Sequence, residues 1–73
     1  KVWCVISHDT YSGMRLPYVS IFADREKAVR CMEGAVEEDC ETYDEEPIWN
    51  EDHTTCEIGS NVVHSLTEQY VNA

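Results

Sequence analysis

Tyr18-Val19-Ser20-Ile21-Phe22-Ala23-Asp24-Arg25-Glu26-Lys27-Ala28-Val29 decides the fold, because a strand hands over to a helix inside it. The first five residues are β-branched or aromatic around one serine, as a strand requires. Asp24 then stands where an N-cap belongs, its carboxylate placed to accept the unpaired amides of a helix starting at Arg25 and to face the positive helix end. Downstream, Val29, Met32, Val36, Cys40 and Tyr43 recur at spacings of three and four, with Ala28 and Ala35 beside them. That periodicity makes one apolar stripe able to cover a sheet and predicts a helix from Arg25 to about Tyr43, stopped firmly by Pro47. At about 100° per residue, Glu33, Glu37, Glu38, Glu41, Asp44 and Glu45 point to the opposite half of the helix.

Working outward, Val2-Trp3-Cys4-Val5-Ile6 reads as a strand covered on both faces and central in a sheet, and Ser7 to Leu16 as a polar loop. Pro17 fits the start of the second strand, where its missing donor does no harm. Pro47 to His53 reads as a connection whose Ile48 and Trp49 fold back as a hydrophobic plug under the helix end. Thr54 to Ile58 is a strand, Gly59-Ser60-Asn61 a turn, and Val62-Val63 the beginning of a returning strand. The residues beyond Val63 allow two continuations. Val62, His64, Leu66 and Tyr70 suit an irregular strand, the favoured reading, whereas Ser65 with Glu68 would form a capping box opening a short helix. The expected architecture is α+β: a small antiparallel sheet of about four strands (ββαββ) with one acidic amphipathic helix packed on one face.

Residues 1–73 supply one domain, since a chain this short buries only about 60% of its unfolded surface and cannot build a second core. Fifteen Asp and Glu against five Lys and Arg leave a net charge of −10. That balance excludes direct binding to nucleic acid or anionic lipid, which needs cations to replace counterions. The distribution is uneven. Five basic residues and three acids give the first thirty positions +2, while twelve acids and no Lys or Arg give the remainder −12. Ten acids crowd between Glu33 and Asp52. No apolar run approaches the roughly 20 residues that a membrane-spanning helix requires.

Chemistry-bearing patterns are sparse. Ser7, His8 and Asp9 spell a triad, but adjacent residues of an extended chain point to opposite faces and cannot form one. Glu37 and Glu41 would bring two carboxylates together, yet glycosidases set theirs in a cleft that a helix on so small a domain is not expected to offer. His53 and Cys56 have the gap of a zinc pair, but Cys31, Cys40 and His64 provide no second close pair. The acidic run lacks the spacing of a calcium loop. Cys4, Cys31, Cys40 and Cys56 allow three disulfide pairings; Cys4 and Cys40 fall on inward positions, so free buried thiols in a reducing compartment are expected. The sequence therefore points to a non-enzymatic protein without a cofactor or metal, located in the cytoplasm.

Like-charge pairs Glu33/Glu37, Glu37/Glu41 and Glu41/Glu45 together cost a helix about 1 kcal/mol. Their retention favours a use for the field itself, namely steering a basic partner. Carboxylates four residues apart rise by about 6 Å, comparable with successive phosphates on a nucleic-acid strand. Candidate contact residues are Glu33, Glu37, Glu38, Glu41, Asp44, Glu45, Glu46, Glu51 and Asp52, with Tyr43 or Trp49 as apolar anchors. The expected partner is a basic protein, a nuclease or DNA-binding protein whose Arg and Lys ordinarily hold phosphate. Two alternatives stand beside it: a housekeeping domain binding a protein strand at a sheet edge, and a small metal-binding domain.

A resemblance rests on the layout from Val2 through the helix, above all Val19-Ser20-Ile21-Phe22-Ala23-Asp24-Arg25-Glu26-Lys27-Ala28 with an acid-rich stretch after it. Over roughly its first half the chain resembles small uncharacterised proteins of phages and their bacterial hosts. The resemblance implies a ββαββ fold and a phage origin. The high charge also resembles that of phage nucleic-acid mimics that disarm restriction or CRISPR nucleases.

Overall fold

A computed structural model describes residues 1–9 and 18–70. Within it the chain is α+β: β1 (Val2–Asp9), β2 (Tyr18–Phe22), α1 (Arg25–Tyr43), β3 (Pro47–Trp49), β4 (Thr55–Ile58) and β5 (Val62–Gln69). One antiparallel sheet runs in the order β2-β1-β5-β4-β3, and α1 crosses one face of it. The helix bounds match those expected from the stripe and the caps. Asp24 accepts a hydrogen bond from the Glu26 amide at 3.0 Å. At the other end Asp44 takes the left-handed conformation, φ 53°, and its amide returns to the Cys40 carbonyl. Aspartate is among the few non-glycine residues that adopt this conformation readily.

Alternation along the strands sorts side chains onto the two faces. Val5 of β1, Cys56 and Ile58 of β4, and Val62 and Leu66 of β5 meet Ala28, Met32 and Val36 of the helix in one buried cluster. Trp3, Phe22, Val29, Cys40 and Trp49 close its margins. On the other face Val19 and Ile21 remain exposed.

Several expectations need correction. The sheet has five strands, because Pro47–Trp49 pairs with β4 as a short edge strand instead of forming a plug. Trp49 does pack on the core, but its neighbour Ile48 lies 64% exposed on the other face, as alternation demands. β1 continues through Ser7 and His8 to Asp9, paired along that length with β5, where a loop was expected. β5 is a regular strand, which removes the terminal-helix alternative. Cys40 is only half-buried, and Tyr43 is exposed. The expectations for the loop through Leu16 and for Pro17 lie outside the described residues.

Two glycines should respond oppositely to alanine. Gly34 sits on the exposed side of α1, and a Cβ there meets nothing within 4 Å. Gly34→Ala should therefore stabilise the domain by about 1 kcal/mol through helix propensity and a less flexible unfolded chain. Gly59 turns the β4–β5 hairpin at φ +57°, and a Cβ would stand 3.3 Å from Asn61 Nδ2 and from Glu45 Cδ. Gly59→Ala should cost about 1–2 kcal/mol because left-handed backbone is strained for an L side chain. Urea denaturation followed by circular dichroism reads both signs.

Candidate functional site

All nine candidate contact acids are exposed: Glu33, Glu37, Glu38 and Glu41 along α1, Asp44 at its cap, Glu45 and Glu46 in the link to β3, and Glu51 and Asp52 before β4. None of them makes an ion pair among the described residues. Ion pairs there join Lys1 to Glu68 at 2.9 Å and Arg30 to Glu26 at 3.9 Å. The Lys1 ammonium and the Arg25 guanidinium also lie over the Trp3 ring, 5.3 and 5.4 Å from its centroid. Lys1, Arg25 and Arg30 are thus engaged elsewhere. The Lys1 hydrogen bond holds the Glu68 carboxyl below its ordinary range, and Glu68 in turn raises Lys1. No base occupies the last turn of α1, so its acids also face the negative helix end unopposed.

Glu51 and Asp52 are carried on a braced loop. The Asn50 side chain accepts from the Thr54 and Thr55 amides at 2.8 and 2.9 Å and donates to Thr54 Oγ1 at 3.0 Å. His53 adopts φ 59° and stacks on Trp49 with ring centroids 3.6 Å apart. Glu33 and Glu37 form one wall of a groove of about 410 Å³ whose other wall is Trp49 and His53. The groove thus runs between α1 and Trp49 and His53, the residues that flank the loop carrying Glu51 and Asp52. Glu38, in contrast, lines a different cavity on the far flank of α1, and the acids therefore wrap around the outer half of the helix instead of forming a narrow strip.

Asp39 breaks the pattern. It projects inward from α1, and its Oδ2 lies 2.6 Å from Nε2 of His64, whose Nδ1 lies 2.6 Å from Ser7 Oγ. His64 is 2% exposed and is the one buried polar or charged residue among those described. Ser7 and His64 face each other across the β1–β5 ladder. Beside them a cavity of about 620 Å³ opens between helix and sheet, and Glu37 and Glu41, the pair for which no cleft was expected, do not line it. The rejected combination of Ser7, His8 and Asp9 indeed splits, with His8 exposed and paired to Val63. Sequence reading missed the set drawn from three elements. The available signal was a histidine at an inward position between Val62 and Leu66.

All four cysteines are free thiols. Burial raises Cys56 above the ordinary thiol value, with a smaller contribution from neighbouring Cys40, itself raised by burial and then by Asp39 and Glu46. A raised thiol favours folding while protonated, so this stability is complete below the unfolded value and is lost as pH climbs toward the folded one. The melting temperature should fall above about pH 8.5, less so in Cys56→Ala, and a thiol reagent at neutral pH should modify half-buried Cys31 before Cys56. Among the described residues no three His, Cys, Asp or Glu converge as a metal site. No helix among them is long and apolar enough to cross a membrane. No family model, curated protein or solved structure matches the chain.

Proposed function

We propose that this chain is a small acidic binding protein that uses the outer half of α1 and the loop after β3 to occupy the phosphate-binding surface of a basic protein. The observation that carries the reading is that nine exposed acids lie on one helix and its following loops with no cation paired to them among the described residues. Solubility alone would be served by interspersed lysines, which would also remove the repulsion along the helix. A field of one sign raises the association rate with an oppositely charged surface by about 10–1000-fold at low salt. Arginines that hold phosphate can donate to carboxylates in the same bidentate geometry, and lysines pair with either anion as point charges. The favoured partner is a host nuclease or DNA-binding protein met in the cytoplasm, and the protein is then an inhibitor of phage or mobile-element origin, of the anti-restriction or anti-CRISPR kind.

The test is capture of partner from host lysate with wild type and with a variant in which Glu37, Glu38, Glu41, Asp44, Glu45 and Glu46 become Gln. Partner should be recovered by wild type alone, and duplex DNA should displace it. Equal recovery by the two proteins dismisses the reading. Glu41→Lys supplies a second arm: pairing with Glu37 and Glu45 should stabilise the domain by about 1 kcal/mol while weakening capture. A protein whose stability and binding rise together has no need of the acids.

A second reading has one observation in its favour. Val19 and Ile21 are exposed on β2, an edge strand, and suit a partner that adds a strand to the sheet. Binding of that kind would survive high salt and the six glutamines.

A further inference from the structure

We propose that Ser7 is a nucleophile activated by His64 and Asp39, able to take an acyl group from small neutral or cationic esters that enter the cavity between α1 and the sheet. A carboxylate can only accept, so Asp39 fixes the proton of the His64 ring on Nε2. Nδ1 is then the free lone pair, and the Ser7 hydroxyl must donate to it across 2.6 Å. A base in contact with the nucleophile and a third group orienting the base is the arrangement that activates serine, whichever ring nitrogen serves each partner. Near-complete burial of His64 keeps water from competing for either bond.

The cavity has the volume of a small-molecule site, about 620 Å³. Val5, Ala35 and Val62 give it apolar wall, and Tyr18 and Tyr43 add rings that suit an acyl or aryl group. Glu38 on the same lining disfavours an anionic substrate. In the reaction, Ser7 Oγ bonds to the ester carbonyl carbon while its proton passes to Nδ1 and the carbonyl π pair moves to oxygen. Return of that pair breaks the bond to the leaving alcohol, which takes the proton from Nδ1. Water then repeats the sequence on the acylated serine and releases the acid, so that no oxidant or reductant is needed. Ser7 lies in a strand paired on both sides, with Tyr18 and with His64, and its own amide is committed to the ladder. Acylation and deacylation should accordingly both be slow, because the oxyanion of each step would lack that donor.

The experiment treats the folded protein with an uncharged alkyl fluorophosphonate, in which the Ser7 Oγ–P bond forms as P–F breaks and the proton leaves with fluoride. Intact mass should show one adduct, and peptide mapping should place it on Ser7. Ser7→Ala should give none. Asp39→Asn should be labelled roughly 100-fold more slowly, since the wrong tautomer is then allowed, with its circular dichroism unchanged. Wild type unfolded in urea should lose its reactivity, which keeps the test valid should Asp39→Asn not fold. Absence of an adduct on Ser7, labelling that survives urea, or an equal rate in folded Asp39→Asn would overturn the proposal and leave the three residues a buried strut.

Discussion

His64→Ala should bring the domain to the edge of unfolding at room temperature, with up to about half of it unfolded at the larger cost. The side chain is 2% exposed, and it satisfies Ser7 on one side and Asp39 on the other, each at 2.6 Å. Truncation removes both hydrogen bonds, opens a cavity beneath the helix, and leaves a carboxylate facing that cavity. Each loss alone is worth about 1–3 kcal/mol, and together they reach about 3–5 kcal/mol. Small domains have about 5 kcal/mol in total. His64→Leu should be much milder. It fills the volume, and Asp39, whose side chain is 28% exposed, can turn to water. Ser7→Ala should cost about 1 kcal/mol, because its partner ring keeps Asp39. Urea denaturation followed by circular dichroism distinguishes these cases. His64→Ala within 1 kcal/mol of wild type would mean that the link between α1 and β5 carries little. A cycle combining His64→Ala with Asp39→Ala should show coupling of about 0.5–3 kcal/mol.

That network also marks the limit of what the sequence disclosed. The start of the helix was legible to the residue and its end to within a few residues, because three local signals agreed: Asp24 as cap, the Val29-Met32-Val36 stripe, and Pro47 as stop. β1, β2 and the β4–β5 hairpin were legible from β-branched runs around Gly59. β3 was not, since three residues carry too little periodicity, and Pro47 reads equally well as a stop signal or as the first residue of an edge strand. β5 was ambiguous for a physical reason. His64 occupies an inward place that an apolar residue would have made obvious, and Ser65 with Glu68 imitates a helix cap. Six of the nine acids, Glu33, Glu37, Glu38, Glu41, Asp44 and Glu45, were placed on exposed positions by helical geometry alone. Asp39 stands among them in the sequence yet faces the core, and only the packing of α1 on β1 and β5 shows that it belongs with Ser7 and His64. Sequence separations of 57 and 25 residues lie beyond any local pattern.

Met32→Ala is expected to have the next largest effect, about 2–5 kcal/mol, because few side chains attach the helix to the sheet. Ala28, Met32 and Val36 are its buried residues, and Ala28 offers a single methyl group. Met32 is 1% exposed and meets the cluster formed by Val5, Cys56, Ile58 and Leu66. Its removal leaves a void that those strands, fixed by their ladders, cannot close fully. The acids aggravate the loss: a helix with repulsive pairs and no cation in its last turn has little intrinsic stability and depends on packing to exist. Loss of that attachment should therefore appear as loss of helical signal, with a urea midpoint shifted by more than the same truncation would cause on a helix laced with lysine. Adding Glu37→Lys and Glu41→Lys to Met32→Ala tests the point. Recovery of about 1 kcal/mol or more would show that the acid face and the core draw on the same margin. A Met32→Ala protein that melts like wild type would mean that something other than the buried face of α1 holds the acids in place.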